Sequence, residues 1–112
     1  MNLWLDDVRP MPSGFDLHVV TAAQAIAALA TGGGRKISLD HDLGDAANGS
    51  GYEVAKWIEE RAFAWSRGEV EGLAPLEWAI HSQNVVGVEN MRRAMQSAER
   101  FWSRRADDPN ET

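Results

Sequence analysis

The sequence predicts a small three-layer α/β domain built on a four-stranded, mostly parallel sheet with about three helices. Three observations predict it. Short apolar-rich runs begin near residues 2, 17, 36 and 75, and runs of this length suit strands covered on both faces. Segments with apolar residues at helical spacing follow the second, third and fourth runs. Gly- and Pro-rich stretches punctuate the rest. At 112 residues the chain makes one domain. Its expected extent is residues 1–105, with residues 106–112, ADDPNET, as a flexible tail.

Asn2 to Asp6 reads as the first strand, and Val8 to Phe15 as a loop, because Pro10, Pro12 and Gly14 preclude a useful helix. Leu17 to Val20 is the second strand. Thr21 then caps a helix, with Gln24 completing a capping-box pattern. Ala22, Ala25, Ile26 and Leu29 give that helix one apolar face, and Gly32 to Gly34 end it. Lys36 to Asp40 is the third strand, followed by a flexible Gly44–Gly51 loop. A helix over Tyr52–Arg67 buries Val54, Trp57, Ile58, Ala62 and Trp65, and Gly68 stops it. Glu69 to Ala74 forms a linker turn.

Pro75 to His81 is the fourth strand. Alternation puts Leu76, Trp78 and Ile80 on one face and Glu77, Ala79 and His81 on the other. Pro75 and Glu77 suit a sheet edge, which leaves a homodimer through that edge or the Trp-bearing helices open. The last helix, Val88 to about Arg104, buries Met91, Ala94, Met95, Ala98, Phe101 and Trp102.

Composition excludes several functions. The net charge is −6, from 17 acidic against 11 basic residues. This predicts no broad nucleic-acid-binding surface, while a small phosphorylated ligand stays compatible. There is no cysteine, hence no disulfide, thiolate chemistry or cysteine zinc site. No apolar run approaches the ~20 residues that span a bilayer. No signal peptide is recognisable, so the expected location is cytoplasmic with no membrane partner.

The strands deliver charge at their ends. Leu3-Trp4-Leu5 runs into Asp6-Asp7 with Arg9 close behind. Ser38-Leu39 runs into Asp40-His41-Asp42-Leu43-Gly44, and the fourth strand into His81-Ser82. In parallel sheets ligands bind outside the carboxyl ends of the strands, so these groups should converge. Four aspartates in one crevice raise each other's pKa or require a cation. A hard divalent ion, Mg²⁺ first and Mn²⁺ second, suits carboxylates, water and phosphate oxygens. The same aspartates also read as separate solvated loop residues or caps.

An imidazole among carboxylates stays protonated to higher pH, which suits a general acid near neutrality. His41 and His81 are the candidates, as an acid/base pair or as transition-metal ligands, against a structural role for either. His18 reads as structural. Arg9 is a phosphate clamp or the partner of Asp6 or Asp42. Ser82 and Asn84, with backbone N–H groups near Gly87, either hold an anion or merely cap the last helix. No P-loop, dinucleotide fingerprint or Ser-His-Asp pattern is present.

Three runs in order carry a resemblance over roughly residues 2–97: Leu3 to Pro10, Ser38 to Gly44, and His81 to Asn84 with Gly87 and Met91. With them the chain resembles a reduced receiver domain of the response-regulator type. It is most similar to the small cyclic-phosphate processing receiver-like domains. The resemblance implies a flavodoxin-like sheet of order 2-1-3-4. It also implies an acidic pair at Asp6-Asp7, the phospho-acceptor position at Asp40 and the Ser/Thr position at His81-Ser82.

Departures from an ordinary receiver are equally specific. The first helix is replaced by a Pro-containing loop, and there is no fifth strand and no helix beyond Arg105. The lysine of the fifth strand has no counterpart, since Lys36 and Lys56 are misplaced for it. The expected activity is therefore metal-dependent hydrolysis of a cyclic phosphate, either a terminal 2′,3′-cyclic phosphate on RNA or a cyclic nucleotide. Asp6, Asp7 and Asp40 would hold the metal, Arg9, Ser82 and Asn84 the substrate, and His41, His81 and Asp42 would handle protons. The alternatives are a non-catalytic receiver-like module that binds a phosphate or nucleotide, and a residual phospho-acceptor.

Overall fold

The computed structural model describes residues 1–72 and 75–107, the last two by backbone alone. The four apolar runs form β1 (Asn2–Leu5), β2 (Leu17–Val19), β3 (Lys36–Leu39) and β4 (Glu77–Ile80). They pair in parallel in the order β2-β1-β3-β4. Three helices join them: α1 (Ala22–Ala30), α2 (Gly51–Ser66) and α3 (Val85–Asp107). The chain thus has the expected receiver-like α/β fold and sheet order.

Alternation along the central strands sends Leu3, Leu5, Ile37 and Leu39 to one face. All four are fully buried and join one core with Leu29 of α1, Val54 and Ile58 of α2, and Met91 and Met95 of α3. All three helices therefore contribute to one core on one side of the sheet. The other face carries Asn2, Trp4, Lys36 and Ser38, and the segment between β1 and β2 covers it. Phe15 meets Trp4 edge-on with ring centroids 5.3 Å apart. Lys36 lies 4.6 Å over the Phe15 ring, and Asn2 Nδ2 donates to the Gly14 carbonyl. The third layer is thus an irregular loop, as Pro10, Pro12 and Gly14 require.

Helix boundaries differ in detail from expectation. Thr21 caps α1 by accepting from Gln24 N–H, while Gln24 Oε1 accepts from Val20 N–H, one residue before the cap. Part of the expected Gly44–Gly51 loop is a 3-10 turn at Ala46–Asn48. Ser50 caps α2, so that helix starts one residue early, at Gly51. α3 starts at Val85 rather than Val88 because Asn84 Oδ1 accepts from Gly87 N–H at 2.8 Å. A β-branched pair and a glycine are weak helix formers, and the cap outweighs that weakness. α3 also continues to Asp107, past the expected domain boundary at residue 105. Residues 108–112 of the expected tail, and Leu73 and Ala74 of the linker turn, lie outside the described residues. No helix of the described residues is long and apolar enough to cross a membrane.

Candidate active site

The ladder bonds continue one residue past each strand, and this sets the site. Asp6 N–H donates to the Val19 carbonyl, Asp40 N–H to Leu5, and His81 N–H to Leu39. Asp6, Asp40 and His81 are therefore held side by side at the carboxyl edge. Asp6 is fully buried and Asp40 nearly so. One carboxylate oxygen from each of Asp6, Asp7 and Asp40 lies within 4.8 Å of the others.

Asp6 is the most heavily bonded of the three. Its Oδ1 accepts from the N–H groups of Val8 and Arg9, both at 2.8 Å. Its Oδ2 accepts from Arg9 Nη1 at 3.2 Å and lies 3.0 Å from His81 Nε2. Burial pushes the Asp6 carboxyl up, but these donors outweigh it and hold the group below its ordinary value. Asp40 goes the other way: burial and the neighbouring Asp6 charge raise it, despite hydrogen bonds from His41 N–H and the Ser82 hydroxyl. Ser82 Oγ in turn accepts from Asn84 N–H.

Of the two roles open to Arg9, an intramolecular pair is present, with Asp6 and not with Asp42. Its Nη1 also donates to the His81 carbonyl at 3.0 Å and lies 3.9 Å from Asp40 Oδ1. Its side chain stays 41% exposed, which leaves the rest of the guanidinium open to a ligand.

The two histidines fall into different surroundings. His81 lies on the loop-covered face, stacked on Trp4 with ring centroids 3.8 Å apart and planes 7° from parallel. Its Nδ1 is 2.7 Å from Ser38 Oγ and its Nε2 faces Asp6, so both ring nitrogens are engaged within the protein. Nearby carboxylates were expected to keep an imidazole protonated. For His81 burial outweighs the attraction of Asp6 and Asp40, and its pKa falls below 6.5.

His41 points elsewhere. Its Nδ1 lies 2.9 Å from Asp42 Oδ1, and its Nε2 has no partner among the described residues. Asn84 Nδ2 reaches both Asp42 oxygens, at 3.3 and 3.4 Å, and approaches His41 Nδ1 at 3.3 Å. Asp42 thus faces His41 and Asn84 rather than the other three aspartates, and these donors hold its carboxyl low.

Two glycines make this packing feasible. A Cβ on Gly87 would overlap the His41 ring, and one on Gly51 would overlap the Asp40 carbonyl. Gly44 turns at φ +87° against Asp7 Oδ2.

The sequence reading missed the parts played by Trp4 and Ser38. Period-two alternation contains the signal: Trp4 and Ser38 are paired across β1 and β3, and Ser38 pairs with Ala79, two residues before His81. His18, taken as structural, places Nε2 2.8 Å from the Asp6 carbonyl, which accepts its N–H.

A family model described as the cyclic-phosphate processing receiver domain matches residues 1–97. The chain belongs to this family. The match spans β1 through most of α3, so every candidate residue of this receiver domain lies within it. No curated protein and no solved structure gave a match.

Proposed function

We propose that this cyclic-phosphate processing receiver domain is a metal-dependent phosphoesterase that opens a cyclic phosphate ester. One observation carries the reading: the convergence of the Asp6, Asp7 and Asp40 oxygens within 4.8 Å. His41 follows Asp40 in the chain and keeps Nε2 without a partner among the described residues. An all-carboxylate donor set fits a hard divalent cation such as Mg²⁺ or Mn²⁺ and is poorly suited to softer metals. The Asp40 carboxyl, raised by burial and by the Asp6 charge, agrees with a site whose negative charge Arg9 offsets only in part and a cation would complete. When bound, the cation would offset charge developing on the phosphoryl oxygens.

The protein groups do the rest. Asp7 and Asp40 have more uncommitted oxygen lone pairs than Asp6 and would be the main ligands. Asp6 contributes while it orients Arg9 and His81. The exposed part of the Arg9 guanidinium receives a phosphate oxygen. Water adds to phosphorus as the ring P–O bond breaks, giving a phosphomonoester and a free hydroxyl. His41, aligned through Nδ1 by Asp42, moves the required proton at Nε2. Ser82 and Asn84 hold Asp40 and the His41–Asp42 pair in place, and an incoming phosphate can compete for their donors. His81 acts through Asp6 as a positioning residue.

The test is turnover of a panel of 2′,3′-cyclic and 3′,5′-cyclic nucleotides with Mg²⁺ or Mn²⁺. Product that disappears with chelator and with Asp40→Asn is the expected result. Calorimetric binding of the same ligands without product would instead favour a phosphate-binding module. The internal engagement of both His81 nitrogens is the observation on that side.

A further inference from the structure

A groove runs between α2 and α3 from the helix ends that lie nearest the site. Both helices start at the carboxyl edge of the sheet. Gly51 N–H donates to the His41 carbonyl, and a Cβ on Gly51 would come within 2.8 Å of Met91 Sδ on α3. The groove opens next to this contact, between Tyr52 and Asn90, and continues past Lys56, Arg93 and Arg100. From Tyr52 to Glu59 alone the helix rises about 10 Å, so the groove extends well past a single phosphate.

Its charge is the reverse of the site's. Three cationic side chains face a single carboxylate, Glu59, within the lining. Arg93 is 74% exposed and its partner Glu89 54%, while Lys56, bonded to Glu59, is 43% exposed. Exposed pairs of this kind contribute little to stability, so breaking one to bind a phosphate costs little. Tyr52, 36% exposed at the mouth, is an aromatic group of the kind on which bases stack. An acidic protein of net charge −6 that concentrates cations along one groove has a local preference for a polyanion that its overall charge conceals.

We infer that this groove holds the chain of a single-stranded RNA whose 3′-terminal cyclic phosphate occupies the acidic site. The inference rests on the cyclic-phosphate reading of that site and specifies the substrate as an oligonucleotide end rather than a free nucleotide.

The experiment compares three probes by fluorescence anisotropy or calorimetry. They are a mononucleoside 2′,3′-cyclic phosphate, a short oligoribonucleotide ending in the same group, and that oligoribonucleotide with a plain 3′-hydroxyl. The cyclic-ended oligoribonucleotide should bind at least roughly tenfold tighter than the mononucleotide, with a log affinity that falls with log salt by about 0.7 per phosphate held. Arg93→Glu/Arg100→Glu should abolish that gain and leave mononucleotide turnover unchanged. Arg93→Gln/Arg100→Gln repeats the test without charge reversal.

Equal affinity for mononucleotide and oligoribonucleotide overturns the inference, as does a gain that survives both double variants. Displacement of the RNA by poly-glutamate at lower concentration than by competitor RNA would give the groove to an acidic protein instead. Hydroxyl-ended RNA that binds while no cyclic phosphate is bound or cleaved overturns the reading of the site and leaves the groove. Loss of all binding overturns both.

Discussion

His41 and His81 sit at the ends of neighbouring strands, but only His81 turns its ring to the acidic cluster, while His41 turns to Asp42 and Asn84. His81 is stacked on Trp4 with both nitrogens committed to Ser38 and Asp6. His41 commits one nitrogen to Asp42 and leaves the other open. A ring with both nitrogens satisfied in a buried network holds its neighbours in place. A ring oriented at one nitrogen and open at the other can exchange protons with a ligand. The same residue type is thus locked at one position and keeps a nitrogen without a partner at the other. His81 takes its direction from β4, while His41 lies past the end of β3 and is held by Asp42 and Asn84.

The largest effect that separates the two groups should come from His41→Ala. Turnover of a cyclic phosphate should fall by about 10²- to 10⁴-fold, the range for loss of a general acid or base, while thermal stability barely changes. Equal rate losses in His41→Ala and His81→Ala would erase the distinction. Next, Trp4→Ala should destabilise the fold by about 3–5 kcal/mol in urea denaturation, because it removes both the stacking surface of His81 and the contact to Phe15. His81→Ala should cost about 1–3 kcal/mol, the penalty for leaving a buried polar partner unsatisfied, with a smaller rate loss than His41→Ala.

The smallest effect is one of pH. Burial lowers the folded pKa of His81 below 6.5, so the unfolded chain takes up a proton first as pH falls. Stability from this source is whole above 6.5 and declines as pH drops from there through the lowered folded value. Denaturation of chelator-treated protein should show this slope, and His81→Asn should flatten it. A slope of opposite sign would mean that the imidazole is held charged.

Much of this was legible in the sequence. The strands were, because Leu3-Trp4-Leu5 and Ile37-Ser38-Leu39 are too short and too apolar to be anything else, and each stops at a carboxylate. The convergence of Asp6 and Asp40 follows from parallel pairing alone, while Asp7 lies one residue past the last ladder bond of β1. What escaped was the choice each side chain makes beyond the last ladder bond. Asp40 and His81 inherit a direction from their strands. His41 and Asp42 do not, and their orientation depends on Asn84, a residue more than forty positions away that caps α3. The loop-covered face escaped for a related reason: a Pro-containing segment gives no periodicity from which to read that Phe15 would fold back on Trp4.

The glycine at position 51 has a use outside this molecule. Its α-carbon sits where any side chain would strike the carbonyl of Asp40, so α2 and the acidic residue are spaced by bare backbone. Gly87 does the same between α3 and His41. The pair works as a gauge. A related chain that keeps Asp40 and His41 but carries larger residues at both glycine positions should have moved its helices away from the site, whatever its carboxylates suggest. Screening family members for this pair, before any assay, would sort those built to hold the same ligand from those that have kept only the fold.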